Sequence, residues 1–512
     1  MRFCVAAAVL LAGGDLFSVQ PVALAGTMGA SAQAAVVNTA QQPSAAVAIG
    51  TAIEKEGLAA ARAKMEDIDA HAGGYAISER DINNLGYRYL GRRAFPEALA
   101  VFEFNRRHFP ASNNVYDSLA EASVAAGDEA RFEATLTAWL AQSPGDAAVA
   151  TRTAELRALA ARSKDERRHG YRAGEPTGVQ GPYFGQAPPG TTPVLFAPGI
   201  VSLAFAREGF GGMSPDGKEF FFEASGRTPG AQVAPPAGLA RYGGDPPAVM
   251  VSRLGPGGWT FPEQAGFTAG FAAREPHLSP DNRRLYWEWF RAVPAGEPDP
   301  QNIGTGIWAS DRTPSGWSEP TFVGQGMALT SSRNGEVFVT DLSEIAKGNG
   351  YVAKVRMKDG KFAGFDRQQG GLEALRSEKI RYLAHPAIAP DGSFLLFDSG
   401  GPPTRLCFRN DDGTWGEAID LSQHGLERAA VTSVSPDGKY LFLSKGGDIY
   451  WVSTQLIEAL RPARAGKREH GPGNGKSVTK NRAGGAWRPA APGTAAVLCP
   501  ELLQPARRAR RR

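Results

Sequence analysis

The sequence predicts a multidomain α plus β chain, in which a short run of α-helical repeats is followed by an all-β propeller. Five blades are expected, or six if a diverged blade lies within residues 224–250. Three observations predict this: apolar residues at helical spacing with a 34-residue period before Trp139, short β-rich runs between Gly/Pro turns from about residue 196 to 461, and five copies of one turn tetrad within that β-rich part. A chain of 512 residues is also too long for one ordinary core.

Composition agrees with a turn-dense fold. Sixty-two Gly and 37 Pro are many, while 42% hydrophobic and 21% charged residues sit near the usual values for a globular chain. The formal charge of +4 is misleading until it is localised. Residues 463–512 hold 12 Lys/Arg and 2 Asp/Glu, which leaves 44 basic against 50 acidic residues in the rest. The body is slightly acidic, which argues against a nucleic-acid partner. The tail itself, ending Arg507-Arg508-Ala509-Arg510-Arg511-Arg512, is poor in core formers and is expected to be disordered.

The N-terminus has the pattern of an export signal. Arg2 supplies a charge, Phe3–Ala12 is an apolar run, and small-residue cleavage sites follow at Ala23-Leu24-Ala25 and Ala32-Gln33-Ala34, so removal is expected after 25 or after 34. The apolar run ends at Gly13-Gly14-Asp15, too short for a transmembrane segment. A periplasmic or secreted location follows as the expectation. Only three Cys occur, with no C-x-x-C pattern, and Cys407 and Cys499 are not expected to pair.

After a linker at 35–50, helical spacing runs through Ile53–Ile68 and from Ile82 to Trp139. Pro110 and Pro144 are 34 residues apart, each after a pair of helical stretches. Leu85, Gly86, Tyr89, Phe95, Ala98, Phe102 and Pro110 keep one spacing pattern; Tyr116, Leu119, Ala120, Gly127 and Pro144 repeat it, with Phe132 where a small residue is usual. These positions resemble the tetratricopeptide repeat, and 51–165 is assigned to such repeats. The resemblance implies that Gly86 and Ala98 let two helices approach closely and that the aromatics fill the space between hairpins. It also implies a small groove on the first helices, with Asn83, Tyr87, Asp117 and Glu121 as binding candidates. A solvated helix face accounts for the same four residues.

Beyond a second linker at 166–192, the tetrads are Ser214-Pro215-Asp216-Gly217, Ser279-Pro280-Asp281-Asn282, the degenerate Ser332-Arg333-Asn334-Gly335, Ala389-Pro390-Asp391-Gly392 and Ser435-Pro436-Asp437-Gly438. Pro presets the first turn position and Gly or Asn takes the left-handed one, so each tetrad joins two strands of a hairpin. A third strand and a Trp turn follow most copies, ending at Trp259, Trp317 and Trp415, and each Trp is expected to pack between blades. These units resemble the TolB-type, WD-like propeller repeat over 193–462. The last blade, closing with Gly446–Pro462, lacks a fourth strand, and Pro193–Ser202 is expected to supply it.

No catalytic constellation assembles. Asp398-Ser399-Gly400-Gly401-Pro402 is close to a trypsin-like nucleophile motif, but Phe397 replaces the preceding Gly and no partner His segment is present. No Gly-x-Ser-x-Gly elbow follows the propeller. Seven scattered His give no metal-binding spacing, and no cofactor is implied. His277 and His385 precede tetrad turns by four or fewer residues and are expected to face the ring's centre beside Glu208 and Glu275; a channel wall explains them too. Glu208 and Glu275 are the one carboxylate pair to nominate as catalytic, for a carbohydrate-active or glycan-binding ring. Tyr286-Trp287-Glu288-Trp289-Phe290 offers either a stacking surface or inter-blade packing. The leading expectation is a non-catalytic protein- or peptide-binding scaffold of the cell envelope. The alternatives are the glycan reading and a ligand sensor in envelope assembly, and the sequence sets no oligomeric state.

Overall fold

A computed structural model describes residues 42–204, 206–226, 246–297, 304–368, 370–372 and 382–462. The segment expected to be an export signal, the basic tail, Cys4 and Cys499 lie outside the described residues, as does most of the 224–250 insertion. Its described ends belong to two neighbouring strands of the first blade, Glu219–Gly226 and Ala248–Gly255.

Among the described residues seven helices come first: α1 Ala45–Glu56, α2 Leu58–Ala70, α3 Glu79–Gly91, α4 Phe95–His108, α5 Asn113–Ala126, α6 Glu129–Gln142 and α7 Ala147–His169. Their order is three antiparallel pairs and one long unpaired helix. α1, α3, α5 and α7 begin at 34-residue intervals, each behind a capping residue in the same phase: Ser44, Ser78, Ser112 and Asp146. Ser44, Ser78 and Asp146 accept hydrogen bonds from first-turn N–H groups, satisfying donors that a helix start leaves open. The single helix expected over 53–68 is two helices broken at Gly57, whose φ of 84° suits glycine. The repeat also starts earlier than expected, inside the stretch assigned as linker. Gly86 acts as the spacing implied, since a Cβ there would sit 2.5 Å from the Phe102 ring. Phe132 is buried with Tyr116, Leu136 and Trp139, so the larger residue is absorbed by the second hairpin's own core.

Five antiparallel sheets follow and form a five-bladed propeller. The first strand of each blade, Ala206–Met213, Ala273–Leu278, Met327–Ser331, Ala384–Ile388 and Ala430–Val434, touches the first strands of the blades on either side, and the last meets the first. These five strands therefore surround the axis. The tetrads are the turns into the second strands, with left-handed backbone at Gly217, Asn282, Gly335, Gly392 and Gly438. The serine has a role the pattern did not disclose. Ser214 Oγ donates to Asp216 and accepts from the N–H groups of Lys218 and Glu219, and Ser279 and Ser435 repeat this use. Trp317 packs against Phe221 of blade one and Trp415 against Phe338 of blade three, as expected for inter-blade wedges, whereas Trp259 meets Phe184 within the core shared by blades one and five.

Val194–Leu195 pairs antiparallel with Asp448–Ser453 and completes blade five, followed by Phe196 N–H donating to Ile449 O at 2.8 Å. The ring is thus closed by its own N-terminal segment, as anticipated. The stretch expected to be a linker is also built into the ring. Glu175–Val179 exchanges backbone hydrogen bonds with Trp259 and Phe261 along the outer edge of blade one, and Phe184 stacks on Trp259 at 4.1 Å.

Phe196 is fully buried among Phe184, Phe220, Phe442 and Trp451, at the seam between the last blade and the first. Phe196→Ala is expected to lower unfolding stability by about 3–5 kcal/mol in urea titrations. A loss under about 1 kcal/mol would show that the seam does not depend on this clasp.

Candidate functional site

The strands around the axis share one irregularity. Each first strand carries a register shift opposite its second strand, at Glu208/Gly211, Arg274/His277, Met327/Thr330, Ala384/Ala387 and Val431/Ser433. Such bulges re-aim side chains. At the bulge, Glu275, Ala328 and His385 adopt positive φ of 54°, 51° and 49°, a strained conformation for residues with a Cβ.

The consequence is convergence on the axis. His385 Nε2 lies 3.6 Å from Glu275 Oε1, and its ring lies 5.0 Å from that of Phe210. His385 belongs to blade four, Glu275 to blade two and Phe210 to blade one, so both contacts cross between blades that are not neighbours. The ring is filled at this level. Asp398 holds the other side of the imidazole, with Nδ1 to Oδ1 at 2.9 Å, and also accepts from the N–H groups of Gly400 and Gly401. The DSGGP string is therefore an anchor: Asp398 fixes both His385 and its own turn, while Ser399 Oγ accepts from Arg405.

Around this axis lie Arg274, paired with Glu223 at 3.2 Å, and Glu288, which accepts from Thr305 Oγ1 at 3.2 Å. Glu275 is 3% exposed and Glu288 2% exposed, and both Glu275 oxygens and one of Glu288 have no hydrogen-bond partner. Burial raises the Glu288 carboxyl to about 8, reinforced by the Glu275 charge. Burial raises Glu275 as well, against the pull of His385 and Arg274. For His385, burial acts downward but the charge and hydrogen bond of Asp398, with Glu275, outweigh it and hold the imidazole at about 9. Held up at about 9, the imidazole keeps its proton at neutral pH, which suits it to fixing the axis and unsuits it as a general base.

The other nominated residues lie elsewhere. His277 bonds Ser331 Oγ of the next blade at 2.8 Å, and burial lowers it to about 4. Glu208 does not share the axial cluster with Glu275. It accepts from Leu203 N–H and sits with Asp448, Arg162 and Glu166 where α7 meets the ring. There Arg162 reaches Asp448 at 3.1 Å, Glu166 accepts twice from Ala204 N–H, and burial raises Glu166 to about 7. In the helical segment, Tyr87 donates to Glu121 at 2.8 Å, and Arg152 of α7 binds Asp117 at 2.8 Å and Glu121 at 3.5 Å. Three of the four groove candidates are thus joined in one network across α3, α5 and α7, while Asn83 Oδ1 is buried without a partner.

No family model matches the sequence, and no curated protein does. Solved structures similar in part include two propeller-containing ones. One is a proposed 6-phosphogluconolactonase from Bacteroides uniformis, 16% identical, with a TM-score of 0.27, covering 46% of this chain and 77% of that one. The other is the hydrazine synthase of Kuenenia stuttgartiensis, 13% identical, with a TM-score of 0.23, covering 48% and 70%. Neither carries an argument about chemistry.

Sequence reasoning found His385 and Glu275 but missed Arg274, Glu288 and Asp398. The signals were present: Glu288 is a lone acid inside the aromatic run, whose Trp287 and Trp289 prove to be core residues, and Asp398 stood in a string weighed only as a protease motif. Among the described residues, no group of three His, Cys, Asp or Glu side chains is placed to hold a metal ion, and no helix is long and apolar enough to cross a membrane.

The raised Glu288 and His385 both bind protons more tightly in the folded state, so each favours folding at low pH. That stability is lost as pH rises from 4.5 toward about 8 for Glu288 and from 6.5 toward about 9 for His385. Thermal unfolding is expected to show a midpoint falling across this window, and Glu288→Gln is expected to flatten the slope. An unchanged slope in that variant would remove Glu288 from the account.

Proposed function

We propose that the chain is a non-catalytic binding or scaffolding protein of the bacterial cell envelope, exported to the periplasm or beyond. Its two recognition surfaces are the loop-bearing face of the propeller and the groove of the helical repeats. The observation that carries this reading is the joint between them. Arg162 and Glu166 of α7 bond Asp448, Leu203 and Ala204 of the ring through largely buried contacts, so two repeat modules are held as one body rather than tethered by a linker. A rigid pair of surfaces suits a protein or peptide partner that spans both. The common phase of α1, α3, α5 and α7 supports the tetratricopeptide reading, and the tetrad hairpins support the TolB-type one.

One observation favours the second reading, a carbohydrate-active or glycan-binding ring. Glu275 and Glu288 are neighbouring carboxyls, one of them protonated near neutral pH, which is the division of labour a glycosidase needs. The pair differs from the nominated Glu208 and Glu275. Both are buried, and Glu275 is engaged by His385, which favours a structural role.

Photo-crosslinking separates the two. A benzoylphenylalanine at Tyr87 on the helical groove, and another at Ser399 on the loop face, are expected to give discrete protein adducts in cells, in an envelope fraction that depends on residues 1–34. Absence of adducts, together with hydrolysis of a glycan that Glu288→Gln abolishes, would replace the binding reading with the enzymatic one.

A further inference from the structure

Arginines seated on aromatic rings recur throughout this fold, and they follow a rule. Among the described residues, seven arginines both lie over a ring and hold a carboxylate: Arg312 on Trp317 with Glu219, Arg367 on Tyr351 with Asp341 and Arg409 on Trp415 with Glu336 are examples from the propeller. The ring takes the flat face of the guanidinium and the carboxylate takes its N–H edge.

Arg291 breaks the rule. It lies over three rings, 4.7 Å from Trp308, 5.0 Å from Trp289 and 5.6 Å from Phe271, and among the described residues no carboxylate pairs with it. The three rings come from three segments of chain: Phe271 just before the first strand of blade two, Trp289 at the end of the second and Trp308 near the start of the third. All lie at the end of the blade opposite its tetrad turn, on the loop face. Trp289 and Trp308 are buried and fixed edge-to-face at 5.2 Å, while Phe271 is 37% exposed, one of few large apolar side chains so open. The platform is rigid beneath and open at its rim.

We propose that Arg291 anchors a protein-docking surface on the loop face of blade two, and that its N–H edge takes a carboxylate from an acidic segment of the partner. The inference rests on the binding reading above and names the chemistry of the partner. Charge complementarity and the fold's own precedent argue for a carboxylate: at seven other ring-seated arginines the chain completes the guanidinium with Asp or Glu. Stacking on three rings holds the guanidinium in place before binding, so little freedom is lost on contact. A fixed arginine beside an exposed aromatic is also the composition in which interface energy concentrates.

The test uses the full exported chain and a defined probe, a Glu/Gly peptide, with its Gln/Gly counterpart as the neutral control. Calorimetry at low salt and tryptophan fluorescence, reporting on Trp289 and Trp308, read the binding. The expected result is binding of the Glu/Gly peptide alone, weakened roughly tenfold or more by Arg291→Gln and partly kept by Arg291→Lys, which preserves charge but loses the fork. Lys439→Gln, on the tetrad face, is expected to leave binding unchanged. Three results would overturn the proposal: equal binding by Arg291→Gln, an equal loss in Lys439→Gln, or preference at Arg291 for tripolyphosphate over the peptide at matched charge. If crosslinked partners are found while the peptide fails to bind, this inference falls and the binding reading stands.

Discussion

Ring closure is the constraint on which the rest depends. Five first strands meet around an axis only if the last blade is held to the first, and that join is made by a short antiparallel pairing of Val194–Leu195 with Asp448–Ser453. Phe196 then fills the seam, and Ser202 Oγ exchanges hydrogen bonds with Ile449 beneath it. A backbone edge left open there would expose unpaired groups and apolar side chains together. Because the closing strand precedes the propeller in sequence, folding of the ring requires contacts between residues more than 250 apart, which is the slow, non-local kind.

Closure has two consequences for function. At the axis it forces charged side chains from non-neighbouring blades into contact, and their repulsion is managed by His385 and Arg274 among four carboxyls. At the rim it fixes the turn that carries Asp448, and so gives α7 a rigid seat. The axis, the helical joint and the Arg291 platform all lie toward the end where first strands begin. The opposite end holds the tetrad turns, whose serine and aspartate bonds are spent on their own hairpins.

Much of this was legible in sequence because repeats amplify weak signals. Five tetrads located five hairpins, and the missing strand of the last blade pointed to Pro193–Ser202. In the helical part the apolar spacing shows two repeats, whereas a capping residue at 34-residue steps from Ser44 to Asp146 marks four first helices, a period carried by caps rather than by the core. The axial site was less legible. Glu275 and His385 announced themselves by position before a turn, whereas their partners Asp398, Glu288 and Arg274 lie on other strands or are re-aimed by a bulge, and a one-residue shift decides which face a strand residue takes. Glu208 was misplaced for that reason. Arg291 is invisible to spacing, since its three rings come from separate segments.

The most direct measurement is native-state hydrogen exchange on the strand Asp448–Ser453. Closure by Val194–Phe196 makes it an interior strand, so its amides should be as protected as those of Arg284–Trp289, an interior strand of blade two. Alternate amides of Asp448–Ser453 exchanging quickly, as on an open edge, would mean that the ring is not clasped and would contradict the account.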